Sequence, residues 1–210
     1  MKIKLMRIGL ASLILLIAVS LFSCGSSSNS GLQGYNEVLD PSGDYVTWES
    51  QGRAPERFYD IISIVQWIQD NNLMLDLEFD KDVILPPPGA VPSDPILSGY
   101  IWFDTDQDGS TGGGNPLTSL CSNAPSLDGD YVISLYSRLA NGNYEIQDDR
   151  GFEPVTGEAV PSASVNFLRL TIPLSALGDD DGNIDVYAVL GMEQTFATDC
   201  APGGAPLFQI

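Results

Sequence analysis

Asp104, Asp106 and Asp108 place three carboxylates at every second position, and Gly109 closes the run. That spacing is the front half of an oxygen-rich calcium loop. Alternate side chains converge on one point when the backbone wraps around it, and a glycine permits the sharp turn. Ser110 falls where such loops offer a backbone carbonyl. The position of the closing bidentate carboxylate carries Asn115, and a strand-like run precedes the loop where a helix is usual. A further carboxylate must therefore come from elsewhere, with Asp128 and Asp130 as candidates. The predicted ligand set is Asp104, Asp106, Asp108, Ser110 and Asp130, with calcium as the ion. Its expected affinity is that of extracellular modules, on the order of 10⁻⁴–10⁻³ M. The same spacing also serves a solvated acidic turn in which Asp104 and Asp106 cap backbone amides. A second acidic run, Asp179-Asp180-Asp181-Gly182-Asn183, has the chemistry of a plain turn.

The chain contains no histidine. Ser-His-Asp and Cys-His catalysis and His-ligated zinc are thereby excluded. Paired carboxylates, as in glycosidases, need no histidine, and Asp76 with Glu78 or Glu145 with Asp148 are the candidates. Both pairs lie on alternating strand-like runs, where carboxylates ordinarily form the wet face, so a non-catalytic protein is expected.

The N-terminus carries the features of an export signal. Lys2, Lys4 and Arg7 form a positive segment ahead of an apolar run over residues 8–21. The run ends in Leu21-Phe22-Ser23-Cys24, which resembles the lipobox of bacterial lipoproteins, although Phe22 is bulkier than usual there. The resemblance implies cleavage before Cys24, acylation of Cys24 and a membrane anchor through its lipid. Residues 1–23 are then a signal peptide and 24–36 a Gly/Ser/Asn-rich flexible tether. An ordinary secretory signal or a single membrane anchor is the alternative. Gly25 is not the aspartate that retains lipoproteins at the inner membrane, so lipoprotein sorting implies an outer-membrane address. Removing 23 of 210 residues leaves 187, a size for one domain over 37–210. The removed segment takes three of nine basic residues and none of the 28 acidic ones, so six face 28, a charge of −22. A body so acidic repels nucleic acid and anionic lipid and attracts divalent cations. With Cys24 acylated, Cys121 and Cys200 remain in an oxidising compartment, and a disulfide is expected. Closing about eighty residues contributes on the order of 4 kcal/mol; two free thiols are the alternative.

The elements that position these residues are strands. Residues 73–80 alternate without a fault, with Leu73, Leu75, Leu77 and Phe79 facing a core and Met74, Asp76, Glu78 and Asp80 facing water. Residues 59–69 fit either a helical stripe or a strand, and the Asp70-Asn71-Asn72 turn before the next strand favours a strand. Residues 99–104 deliver Asp104, with Tyr100 and Trp102 on one face and Ile101 and Phe103 on the other. Further strands are predicted over 45–48, 130–139, 144–147, 155–160, 164–174 and 184–192, with a helical turn at 175–177 and a possible edge strand at 206–208. The proline-rich stretch 81–95 is a surface loop. About eight short strands with almost no helix indicate an all-β, antiparallel β-sandwich of jelly-roll type.

Six motifs occur in order: DPSGD (40–44), YDIISI (59–64), YIWFDTDQDGSTG (100–112), GDYVISL (129–135), LTIPLSALGDDDGNIDVYAVLG (170–191) and DCAP (199–202). Together they resemble a β-sandwich domain of secreted and surface bacterial proteins, related to the DOMON-like superfamily and to carbohydrate-binding module family nine. The resemblance implies a non-catalytic accessory module, some examples of which bind sugars or haem. A haem role transfers poorly to a chain without histidine, where Met74 and Met192 are the remaining soft ligands. A sugar role transfers as a class only, since no sugar-binding residue matches; Trp48, Trp67, Trp102 and Tyr136 are the aromatic candidates, each also suited to core burial. The expected protein is a surface-anchored, calcium-stabilised lipoprotein that binds carbohydrate or another ligand. The alternative is a structural or adhesive envelope lipoprotein that binds another protein.

Overall fold

A computed structural model describes residues 33–44, 59–89, 97–108, 111–113, 121, 129–180, 183–191 and 197–202. The signal and tether residues 1–32, Cys24 among them, lie outside these, as do the predicted strands at 45–48 and 206–208, Trp48, Gly109, Ser110 and Asp128.

The fold is all-β. Ten strands run in chain order: β1 (Gln33–Leu39), β2 (Ile61–Gln69), β3 (Asn72–Phe79), β4 (Gly99–Asp104), β5 (Tyr131–Ser134), β6 (Tyr144–Asp148), β7 (Glu153–Ser164), β8 (Phe167–Pro173), β9 (Asp185–Gly191) and β10 (Ala197–Ala201). A single 3₁₀ turn, Leu174–Leu177, is the only helix among the described residues. The strands form one strongly curled sheet in the order β1-β2-β3-β8-β7-β6-β5-β4-β9-β10, every neighbour antiparallel. The pairing thus gives ten strands in one sheet where the sequence predicts about eight in two.

Three of the differences have local causes. β1 starts at Gln33, inside the stretch whose composition predicts a tether, because Gln33 and then Asn36 to Leu39 pair with β2 across a register shift. The predicted strand over 164–174 begins after a tight turn at Val165 and Asn166, with Val165 at φ 36°, and the residues before it belong to the twelve-residue β7. β7 pairs with β6 along its first half and with β8 along its second, so it carries the sheet around its bend. The stretch predicted as a strand over 59–69 is one from Ile61 to Gln69, and Asp70 and Asn71 both take positive φ in the β2–β3 turn.

The core lies inside the curl. Leu73, Leu75, Leu77 and Phe79 of β3 are all at most 1% exposed and pack with Ile101, Phe103, Ile133, Ile146, Leu168 and Leu170. A smaller cluster on the opposite face of β4, β9 and β10 gathers Trp102, Val132, Tyr187, Val189, Cys121 and Cys200. Cys121 and Cys200 are joined as a disulfide within that cluster, with Cα atoms 6.1 Å apart.

Candidate functional site

β4 ends at Asp104, and Asp104 pairs in register with Asp185 at the start of β9. The chain then turns, with Gln107 at φ 54°. The Gln107 N–H donates to Asp104 Oδ1 (2.7 Å) and the Asp108 N–H to Asp106 Oδ1 (2.9 Å). Thr111 donates its hydroxyl to Asp106 Oδ2 (2.7 Å), and its N–H goes to the Asp108 carbonyl (2.8 Å). Asp130, just before β5, accepts the Thr105 N–H (3.0 Å) and hydroxyl (2.7 Å). Gly113 follows within the same loop, and a Cβ there would stand 2.4 Å from the Asp149 carbonyl oxygen, so only glycine seats the loop this closely.

Carboxylate oxygens of Asp104, Asp106 and Asp130 lie within 4.8 Å of one another. The group can therefore hold a metal ion. Of the predicted ligands, the structure brings Asp104, Asp106 and Asp130 together, whereas the exposed Asp108 is not in the group and holds Thr111 through its carbonyl. The two sequence alternatives coexist: the loop amides are capped, and three oxygens still converge.

The electrostatics of the three groups differ. Asp104 is 3% exposed. Burial, then the charges of Asp130, Asp106 and Asp185, raise its carboxyl to about 6 against the opposing Gln107 N–H. Asp106 is exposed and lies below the usual carboxylate range, chiefly through the Thr111 hydroxyl and the Asp108 N–H. The second acidic run meets this loop through Asn183, whose amide donates to the Gln107 side-chain oxygen.

Next to the loop, the outer face of β4–β6 forms a groove of about 540 Å³. Tyr100, Glu145, Gln147 and Ser134 line it from the strands, with Arg138 and Phe152 from the adjoining turns. Tyr100 sits 5.3 Å, centroid to centroid, from both Trp102 and Tyr136. Phe152 is 49% exposed at φ 53°, a conformation unusual for a side chain of its bulk. Trp102 is a core residue instead, 2% exposed, its indole N–H donating to Asp149 (3.2 Å). Trp67 is 9% exposed beneath the Arg169 guanidinium, 4.9 Å from its ring centre. Tyr136 is half-buried and donates its hydroxyl to the Gly191 carbonyl (2.7 Å). The carboxylates named above for acid–base work are engaged structurally. Asp76 holds Arg169 through two 2.6 Å bonds, and Asp148 pairs with Arg150 at 3.3 Å.

Sequence reasoning passed over a second acidic group. Asp40, Asp44 and Asp199 also place carboxylate oxygens within 4.8 Å of one another. DPSGD reads as a turn by itself, and Asp199 lies more than 150 positions downstream of Asp44, so only the tertiary fold brings them together.

No protein-family model matches this chain, and no curated protein matches its sequence.

Proposed function

We propose that the protein is a lipid-anchored, non-catalytic domain of the bacterial cell envelope, stabilised by calcium at the β4 loop, that binds a carbohydrate in the groove beside Tyr100. The observation that carries the reading is that groove. It combines the ring edges of Tyr100 and Phe152 with the polar heads of Glu145, Gln147, Ser134 and Arg138. Sugars present apolar faces flanked by hydroxyls, and such pockets meet them with aromatic surface and a few placed polar groups. The calcium loop lies close by on the same strands, since β4 supplies both Tyr100 and Asp104. In this reading the ion fixes the end of β4 and the groove does the binding. Resemblance to a carbohydrate-binding module points the same way, and the lipid on Cys24 supplies the surface address.

A glycan array tests the reading with wild type and the Tyr100→Ala and Phe152→Ala variants, each with and without millimolar calcium. Binding of a polysaccharide by wild type that both variants lose by tenfold or more supports it. No signal on any glycan, with calcium present, refutes it and favours the structural or adhesive alternative. One observation speaks for that alternative: among the described residues edge strand β1 pairs only with β2, and it exposes Leu39 by 72% and Tyr35 by 51%.

A further inference from the structure

β1 and β10 are the two edges of the curled sheet, and the second acidic group lies where they approach each other. Asp40 follows β1 directly, and its N–H donates to the Ile62 carbonyl of β2 (2.8 Å). Asp44 is brought back beside it by the DPSGD turn, in which Gly43 takes φ +87°. Asp199 stands within β10 and is 0% exposed. Its Oδ2 accepts the Ile61 N–H at the start of β2 (2.6 Å), and its Oδ1 accepts the Cys200 N–H (2.8 Å). Three carboxylates crowded in this way repel, and burial makes the repulsion costlier.

Two further side chains point to something that the protein atoms do not supply. Tyr187 is 1% exposed, and its hydroxyl has no hydrogen-bond partner among the described residues. The charges of Asp40, Asp199 and Asp44 act on that hydroxyl, so it lies near the cluster. Asp60 is also 1% exposed. Its Oδ2 takes the Gly43 N–H (2.7 Å), while its Oδ1 is buried with no partner among the described residues. Gly43 adjoins Asp44, and Ile61, next to Asp60, donates its N–H to Asp199, so Asp60 is a fourth carboxylate beside the group. Buried polar atoms are ordinarily satisfied, and two orphans beside three converging carboxylates mark a ligand position. The oxygen-only chemistry selects a hard divalent cation, of which calcium is the one most often held by such flexible carboxylate sets.

We propose that Asp40, Asp44 and Asp199 hold a calcium ion that ties the two edge strands of the sheet together, with Asp60 and Tyr187 completing its surroundings. This site is separate from the β4 loop. Asp199 is in register with Leu190, and Asp104 with Asp185 five residues earlier on the same strand β9. At about 3.4 Å per residue the two groups stand roughly 17 Å apart along the strand.

Calorimetric titration of the full chain with calcium chloride, after removal of bound metal by chelation, tests the proposal. Wild type is compared with Asp44→Asn and Asp106→Asn. The expected result is a binding event that Asp44→Asn weakens at least tenfold and Asp106→Asn leaves intact. The proposal is overturned if wild type binds no calcium up to 10 mM (about ten times the weakest affinity of extracellular modules), or only in an event that Asp106→Asn removes. If the Asp44-sensitive event is the only one, this site stands and the loop site falls. Amide hydrogen exchange on wild type provides a measurement that needs no variant. Calcium should slow exchange at Ile61 at least tenfold, because its N–H is held by a ligand carboxylate, and an unchanged rate counts against the site.

Discussion

In cation-free buffer the protein should lose stability as pH rises from 5 to 8, and Asp199 should be the main reason. Burial, then the charges of Asp40 and Asp44, raise its carboxyl to about 8 from an ordinary 3.8, against the opposing N–H groups of Ile61 and Cys200. A carboxyl raised in this way is more comfortable neutral in the fold than in the unfolded chain. Its contribution is fully present below the unfolded value near 3.8 and is lost as pH rises through about 8. At about 1.4 kcal/mol per pH unit, a difference of about four units sets a ceiling of about 6 kcal/mol. For a domain of this size the midpoint falls about 2–4 °C per kcal/mol, so the decline is on the order of 10 °C. Asp104, raised to about 6, adds to the same trend at the lower end of the window. The groups held low, Asp106, Asp148 and Glu158, lose their contributions as pH falls below about 4 and do not oppose it. Thermal melts of wild type and Asp199→Asn across pH 5 to 8 provide the assay. The variant should decline much less steeply between pH 6 and 8, and millimolar calcium should flatten the wild-type profile. Parallel slopes for the two proteins would show that the charge at Asp199 is not what the fold resists.

Other perturbations follow from the same contacts. Arg169→Ala removes both bonds to the nearly buried Asp76 and the cation over Trp67, and urea unfolding should show a loss of about 2–3 kcal/mol. Gly113→Ala drives a Cβ to 2.4 Å from the Asp149 carbonyl and must shift the loop. Calcium affinity in the Asp106-sensitive event should fall about tenfold, with the Asp44-sensitive event unchanged, as read by calorimetry. Reducing the Cys121–Cys200 bridge frees a separation of 79 residues and should cost about 4–5 kcal/mol in the chain-entropy account, measured by denaturant midpoint with and without a reductant.

What could be read from the chain was whatever local chemistry decides. The faultless alternation over 73–80 fixes one face against the core, and β3 carries it as predicted. The acidic loop was visible because Asp104 and Asp106 are neighbours in sequence, and β5 runs antiparallel beside β4, which places Asp130 next to them. Strand number was harder to read. β7 has a half-polar pattern, since it changes partners midway and neither face is buried along its full length, so period-two reasoning shortened it. The first half of β1, residues 33–36, falls in the predicted tether because edge strands bury little, and here only Val38 departs from exposure among the strand's described side chains. The Asp40–Asp44–Asp199 group is purely tertiary: no local pattern says that one edge of the sheet meets the other.

That meeting gives β10 an unusual position. Successive side chains of a strand point to opposite faces, so Asp199 and Cys200 reach in opposite directions. Cys200 joins the outer cluster with Trp102 and Val189 and bonds to Cys121, while Asp199 holds the Ile61 N–H of β2. One short edge strand is therefore fastened on one side by a covalent bond and on the other by a carboxylate that carries the proposed ion. Edge strands are where sheets fray, and five residues of backbone pairing are a weak hold by themselves. If both ties secure the same strand, removing either one frees most of what the other protects. Chelation and reduction together should then cost less than the sum of the two applied singly, with a shortfall of about 1 kcal/mol or more. Denaturant melts under the four combinations of chelator and reductant measure this directly. Strict additivity would mean that the bridge and the carboxylate cluster act on different parts of the fold, and would separate the ion from the closure of the sheet.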